Sequence, residues 1–140
     1  MKLAKFSTVF LRLALASTFL SAVASRLNIW GKRASLSQAW SRFIDYTAEV
    51  NSFLPKNIIP PIALAATVLE TGFALLLLFG YKTYYAALGA GVLLLLFGLA
   101  MTYSFGIKEP LDYSVFTASA GAFILASASP YKYSSDQLLL

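Results

Sequence analysis

The chain of 140 residues contains neither cysteine nor histidine. Disulfides, iron–sulfur clusters, His-ligated haem, His/Cys zinc sites and Cys or Ser–His nucleophiles each need a thiolate or an imidazole, so all of them are excluded. Charge is also scarce, since only 12% of the residues are charged, with six acidic side chains against eleven basic ones. Carboxylates, amines and hydroxyls remain, and we expect no catalytic residues, no metal site and no stand-alone enzyme.

Hydrophobic residues are abundant, at 59% of the chain, and the mean hydropathy is +0.71. Ordinary soluble domains have about 45–50% apolar and about 25% charged residues. The surplus indicates an integral membrane protein whose first partner is the lipid bilayer. The basic residues are scattered over the loops without forming a patch, so nucleic-acid binding is not predicted.

Four segments are long and apolar enough to cross a membrane. A crossing helix needs about 20 mostly apolar residues to span the roughly 30 Å hydrocarbon core. Segments of this kind lie at about 6–27, 58–80, 84–105 and 111–129. Tyr and Trp side chains, which prefer the water–lipid boundary, stand near their ends. We predict an all-α fold, a four-transmembrane-helix bundle that forms a single domain over residues 1–140.

The connection between the first and second segments also has a helical pattern. Apolar residues recur at helical spacing from Leu36 to Leu54, with polar residues on the other side, and Pro55 follows. This pattern predicts a short amphipathic interfacial helix, which either lies flat at the membrane surface or caps the bundle.

The first segment has two interpretations. Lys2 and Lys5 precede it and favour cytoplasmic termini. The same lysines, with Ala22-Val23-Ala24, also resemble a signal peptide with its cleavage site. Arg12 interrupts the apolar stretch, and removal of the segment would leave three spans, so we favour a retained helix.

Glu70 lies close to the middle of the second span, where an unpaired acidic side chain costs at least about 2.5–3.5 kcal/mol. Either the carboxyl group is protonated or a partner offsets this cost. We predict Arg12 as the partner, since the first two spans are expected to be adjacent and antiparallel. The pair is either structural, with Arg12 also able to extend towards the interface, or Glu70 binds a proton, a cation or a polar ligand headgroup.

Three further polar residues fall on one membrane face of the alternating bundle, namely Arg26, Tyr103 and Asp112. A polar cluster at this mouth is geometrically allowed. Taken singly, Asp112 is explained as an acid in the first turn of the fourth helix, and Arg26 as a headgroup contact.

Small residues recur every four positions in the fourth span. Such a stripe lets helices approach closely, so it predicts the seam of the bundle and a surface for homo-oligomers. The stripe consists of Ser114, Ala118, Ala122 and Ala126.

Several fragments, in their order and spacing, resemble the DoxX-like family of small four-helix membrane proteins. They are Arg12-Leu-Ala-Leu-Ala with Phe19 and Ala22, Leu54-Pro55, the Ile-Pro-Pro-Ile entry to the second span, Leu69-Glu70-Thr-Gly72, Ala-Ala-Leu-Gly-Ala-Gly, and Ile107-Lys-Glu-Pro-Leu-Asp112-Tyr-Ser-Val-Phe116. The resemblance covers nearly the whole chain. It implies a multi-pass protein of the bacterial plasma membrane.

The resemblance also implies a link to quinone-dependent respiratory or sulfur-oxidising complexes and to redox-stress assemblies. One branch of the family carries cysteines, and this chain has none, so a thiol relay is not predicted. Our leading hypothesis is a non-catalytic accessory subunit of a membrane redox or stress-related complex, holding a lipid-like ligand that could be a quinone. The alternative is a small proton- or ion-coupled transporter using Glu70, and an enzyme acting on lipid ranks third.

Overall fold

The structure is a computed structural model that describes residues 2–30 and 35–138. Within these ranges the chain forms helices and no strand. The helices are α1 (Lys2–Arg26), α2 (Leu36–Val50), α3 (Ile59–Phe79), α4 (Thr83–Phe105), α5 (Lys108–Asp112), α6 (Val115–Ser127) and α7 (Ser135–Leu138), with a 3-10 turn at Lys56–Ile58 before α3.

Three helical stretches in the described ranges are long and apolar enough to cross a membrane, namely Leu3–Arg26, Lys56–Phe79 and Thr83–Phe105. Helix α6 is a shorter apolar helix. The all-α class and the membrane-embedded helical bundle are confirmed. The ends of α1, α3 and α4 lie close to the predicted ends of the first three spans.

The fourth predicted span, 111–129, is not one continuous helix. Helix α5 ends at Asp112, Ser114 adopts a left-handed conformation with φ 56°, and α6 starts at Val115. Asp112 therefore closes α5, where it pairs with Lys108 one helical turn earlier, and the expected role in the first turn of the fourth helix is wrong. The sequence did not predict this break, because hydropathy reports the composition of a segment and not the backbone conformation of a single residue.

The amphipathic helix predicted between the first two spans is α2. Its start is fixed by a capping box, in which Ser35 accepts a hydrogen bond from the backbone of Gln38 and Gln38 accepts one from the backbone of Ser35. At its other end Ser104 of α4 donates a hydrogen bond of 2.6 Å to the carbonyl of Val50. Of the two expected positions, α2 therefore takes the one that caps the bundle, against the end of α4.

Helices α4 and α6 pack closely through small residues. A Cβ atom on Gly91 would lie 2.9 Å from the ring of Phe123, and Ser119 donates a hydrogen bond of 2.7 Å to the Gly91 carbonyl. Ala122 and Ala126 of the predicted stripe are buried. Ala118 packs against the core, but Ser114 precedes α6 and is exposed, so the predicted seam is confirmed for the three alanines only. The use of the stripe in homo-oligomers stays a prediction.

Candidate functional site

Glu70 lies in the middle of α3, is only 3% exposed, and forms an ion pair with Arg26, the last residue of α1. Nη1 of Arg26 also donates a hydrogen bond of 3.0 Å to Oγ1 of Thr67, one helical turn before Glu70. The prediction that Arg12 pairs with Glu70 is wrong. Helices α1 and α3 are adjacent and antiparallel, as assumed, but their register brings Arg26 to Glu70.

The guanidinium group of Arg26 also contacts α2. Its Cζ atom lies 3.8 Å from the centroid of the Phe43 ring, which is a cation–π distance. Both hydrogen-bonding contacts of the side chain leave from Nη1, and in residues 2–30 and 35–138 no protein acceptor is bound to its Nε or Nη2. Arg26 therefore retains donors for a further group.

A cavity of about 750 Å³ lies beside this ion pair, between α2, α3 and α4. Its wall is mostly apolar, and the polar groups on it include Arg26, Glu70, Thr47 and Asn51. Pockets that bind small molecules have volumes of about 300–1,000 Å³ and show this combination of apolar walls with a few polar groups. We call the cavity with Arg26 and Glu70 the cavity site.

The predicted site residues separate into two groups. Arg26, Glu70 and Tyr103 line the cavity. Tyr103 is 72% exposed, and its ring meets Phe53 edge to face, with centroids 5.1 Å apart. Asp112 is exposed, pairs with Lys108 and is not part of the cavity wall, so the cluster of Arg26, Tyr103 and Asp112 does not form.

The sequence alone did not predict that α2 contributes to the cavity wall, where its residues include Phe43, Tyr46 and Thr47. The amphipathic pattern indicated that one face of α2 is covered, but it did not indicate which part of the chain covers that face. Burial raises the pKa of Tyr46 above its ordinary value, and its neighbours Tyr113, Glu109 and Glu49 raise it further. The Tyr46 hydroxyl is therefore a proton-bearing donor at neutral pH.

Arg12 belongs to a second buried polar group at the other end of the bundle. Its Nη2 donates a hydrogen bond of 2.7 Å to the carbonyl of Tyr133, and Gly80, which ends α3 with φ 65°, lies against its Nη1. The carboxylate of Asp136 accepts hydrogen bonds from the backbone of Lys82 at 2.6 Å and of Thr83 at 2.8 Å. We call these residues, with Ser134, the turn cluster.

Asp136 caps the start of α4 and is charged at neutral pH. Its burial raises the pKa of the carboxyl group, but hydrogen bonds with Thr83 and Lys82 and the positive charge of Arg12 outweigh burial. The pKa is therefore below its ordinary value. The turn cluster holds the C-terminal segment against the α3–α4 turn.

The chemistry available at the cavity site is that of a guanidinium donor, a carboxylate and a hydroxyl beside apolar walls. Among the described residues, no group of three or more acidic side chains could hold a metal ion. The arrangement can bind and orient a polar headgroup attached to an apolar body.

In the comparison with known families, a family model described as DoxX matches residues 7–103. That range runs from Ser7 in α1 to Tyr103 in α4 and includes every cavity-lining residue except Val115. No curated protein and no solved structure matches the chain.

Proposed function

The chain belongs to the DoxX family, and we propose that it is a non-catalytic membrane protein that holds a lipid-like ligand in its cavity site. The observation that carries the proposal is a mostly apolar cavity of about 750 Å³ with the buried Arg26–Glu70 pair on its wall. A buried charge pair is costly to desolvate. At the edge of a cavity, the same pair provides donors and acceptors for a ligand headgroup.

The proposal includes four crossings of a bacterial plasma membrane, with both termini in the cytoplasm. Helix α6 has 13 residues and is about 20 Å long, less than the roughly 30 Å hydrocarbon core. In this proposal, the residues before and after α6 complete the fourth crossing. The contact between Arg12 of α1 and Tyr133, which follows α6, supports an even number of crossings, because it joins the first and last segments at one end of the bundle.

A quinone is compatible with the residues present. Its carbonyl oxygens can accept hydrogen bonds from Arg26, and its ring and chain suit apolar surfaces such as Phe43. A bound quinone would supply two-electron redox chemistry. The protein residues would bind the headgroup and keep it in the apolar cavity.

We further propose that the protein presents this ligand to a membrane redox complex as an accessory subunit. The sequence has no cysteine or histidine with which to bind haem or an iron–sulfur cluster, so electrons would pass to a partner. The identity of the partner subunits and the formation of homo-oligomers stay predictions.

The proposal is tested by extracting the full-length protein into native nanodiscs and identifying retained amphiphiles by mass spectrometry. The variants are Glu70→Gln and Arg26→Gln, and Arg12→Gln is the matched control, since it removes the other buried arginine of α1. We expect one retained amphiphile in the native protein and the control, and at least a several-fold loss in the two cavity variants. Equal amphiphile content in all four folded proteins would contradict the proposal.

Proton- or ion-coupled transport through Glu70 is the competing function. Glu70 is the sole carboxylate among the described residues that line the cavity, and it is bound to Arg26. We therefore expect no Glu70-dependent proton or cation flux in liposomes that contain the protein. A flux that Glu70→Gln abolishes would favour the transporter.

A further inference from the structure

Helices α3 and α4 pack against each other in the halves that adjoin their turn. Ala74 and Leu77 of α3 and Ala86 of α4 are almost completely buried there. The ring of Phe73 lies so close to Gly89 that a Cβ atom at Gly89 would be 2.4 Å from it. The two helices are therefore in direct contact in this half.

In the halves farther from their turn, α3 and α4 line the cavity. Leu69 of α3 and Leu96 and Leu99 of α4 belong to the cavity wall, yet they are 45%, 57% and 54% exposed. Side chains that line a cavity and are also half exposed mark a place where the cavity opens. We call these three leucines the lateral opening.

The lateral opening lies at membrane depth. Leu69 is the residue before Glu70 in the middle of α3, and Leu96 and Leu99 lie in the apolar run of α4. At this depth the surroundings of the bundle are lipid chains. Helix α2 lies over the other end of the cavity, where Thr47 and Val50 are buried and Ser104 of α4 is bonded to Ser52 and Val50. That end is only partly closed, since the lining residues Tyr46, Phe53 and Tyr103 are 45%, 49% and 72% exposed.

We propose that the ligand enters the cavity site sideways from the bilayer, between α3 and α4, and that it is an uncharged amphiphile whose chain remains in the lipid. This inference rests on the proposed function. Its headgroup lies at the Arg26–Glu70 pair and its chain leaves through the lateral opening. The charges of Arg26 and Glu70 balance each other, so a charged headgroup would bring an unpaired charge to membrane depth, whereas a carbonyl or hydroxyl group would not.

Access of lipid chains to the cavity site is tested by quenching of tryptophan fluorescence in the full-length chain. Trp30→Phe and Trp40→Phe remove its two tryptophans, and Met101→Trp places one on the cavity wall, at a side chain only 6% exposed. The protein is reconstituted in phosphatidylcholine vesicles with dibrominated chains. Leu88→Trp on the exposed face of α4 is the lipid-facing control, and Phe19→Trp, 2% exposed and outside the cavity wall, is the closed control.

We expect the brominated chains to quench the tryptophan at position 101 at least about twice as strongly as the tryptophan at position 19. The extent of quenching at position 101 should approach that at position 88. Acrylamide in the aqueous phase is expected to quench the tryptophan at position 101 only weakly. Quenching at position 101 equal to that at position 19, or strong quenching by acrylamide with none by the chains, would overturn the lateral opening.

The route is tested by narrowing the opening with Leu69→Trp in the native background. Leu78→Trp is the matched control, because Leu78 is exposed on the same helix but does not line the cavity. We expect a several-fold lower content of retained amphiphile in Leu69→Trp and no change in Leu78→Trp. Equal content in these two folded variants, or a retained amphiphile with a net charge at neutral pH, would overturn the inference.

The two proposals fail separately. Quenching at position 101 without any retained amphiphile in the native protein would overturn the proposed function and support the lateral opening. A retained amphiphile without that quenching would support the proposed function and overturn the lateral opening.

Discussion

Two arginines on α1, the buried Arg12 and the partly buried Arg26, have different surroundings. Arg12, at 6% exposure, binds the carbonyl of Tyr133 and lies against Gly80 in the turn cluster. The Arg26 side chain, at 11% exposure, binds Glu70 and Thr67 beside a cavity of about 750 Å³. The sequence treats both as a basic residue in or next to an apolar helix.

The two arginines differ in the space around their side chains and in the type of group that they bind. At the turn cluster, Arg12 binds the carbonyl of Tyr133 and lies against Gly80, so that its role is to hold two parts of the chain together. At the cavity site, a side-chain carboxylate binds one edge of the guanidinium group and the cavity lies beside it. Burial of a charge in a membrane helix therefore indicates a ligand site only where there is room for a ligand.

The largest effect is expected from Arg26→Met, which leaves Glu70 buried without its cation. Removing one partner of a buried ion pair costs about 3–5 kcal/mol. The double variant Arg26→Met/Glu70→Met should regain most of this stability and still retain no ligand. Thermal unfolding in detergent and mass spectrometry of retained amphiphiles provide the two measurements. A double variant as unstable as the single one would show that the loss does not come from an unpaired carboxylate.

Arg12→Met should lower the free energy of unfolding by about 1.5–3 kcal/mol, the usual worth of a hydrogen bond from a charged group. The ligand content of the folded protein should stay unchanged, in contrast to Arg26→Met. Both quantities are measured as for Arg26→Met. If Arg12→Met lost the ligand while remaining folded, the two arginines would not differ in function.

Gly80→Ala tests how tightly the turn cluster is packed. Its Cβ atom would lie 2.5 Å from Cβ of Ser134 and 2.8 Å from Nη1 of Arg12, at a residue with φ 65°. We expect a loss of about 1–3 kcal/mol from overpacking and backbone strain, with ligand content unchanged.

Gly72→Ala is the matched control for Gly80→Ala. Nothing lies within 4 Å of an added Cβ at Gly72, inside α3, so this variant should be as stable as the native protein or gain up to about 1 kcal/mol. Equal stabilities of the two alanine variants in thermal unfolding would contradict the tight packing of the turn cluster.

The smallest loss of stability is expected from Asp136→Ala, which removes the cap of α4 and should cost about 1 kcal/mol at neutral pH. The pKa of Asp136 is lowered in the folded state, so its contribution is present above the unfolded-state pKa of about 3.9. It is lost as the pH falls through the lower folded-state pKa. Unfolding midpoints of both proteins should therefore converge on acidification. A difference that persists in acid would exclude the carboxylate as its source.

The sequence predicted much of the architecture because the relevant signals are local. A crossing helix is a run of apolar residues, and α2 appears as an apolar face at helical spacing. The alanines at every fourth position of α6 are also a local pattern, and they lie in or against the core. The left-handed conformation of Ser114 was not predicted, because hydropathy does not report the backbone conformation of a single residue.

The sequence by itself determined that the protein is a helical membrane protein, with α1, α3 and α4 close to their observed ends, an amphipathic α2 and a carboxylate in the middle of α3. Only the tertiary structure decided which arginine binds Glu70, that α2 covers the cavity, and where the cavity opens. Lipid and the bundle interior are both apolar, so hydropathy carries little information about the register of one helix against another. That register is decided by side-chain packing between residues far apart in sequence.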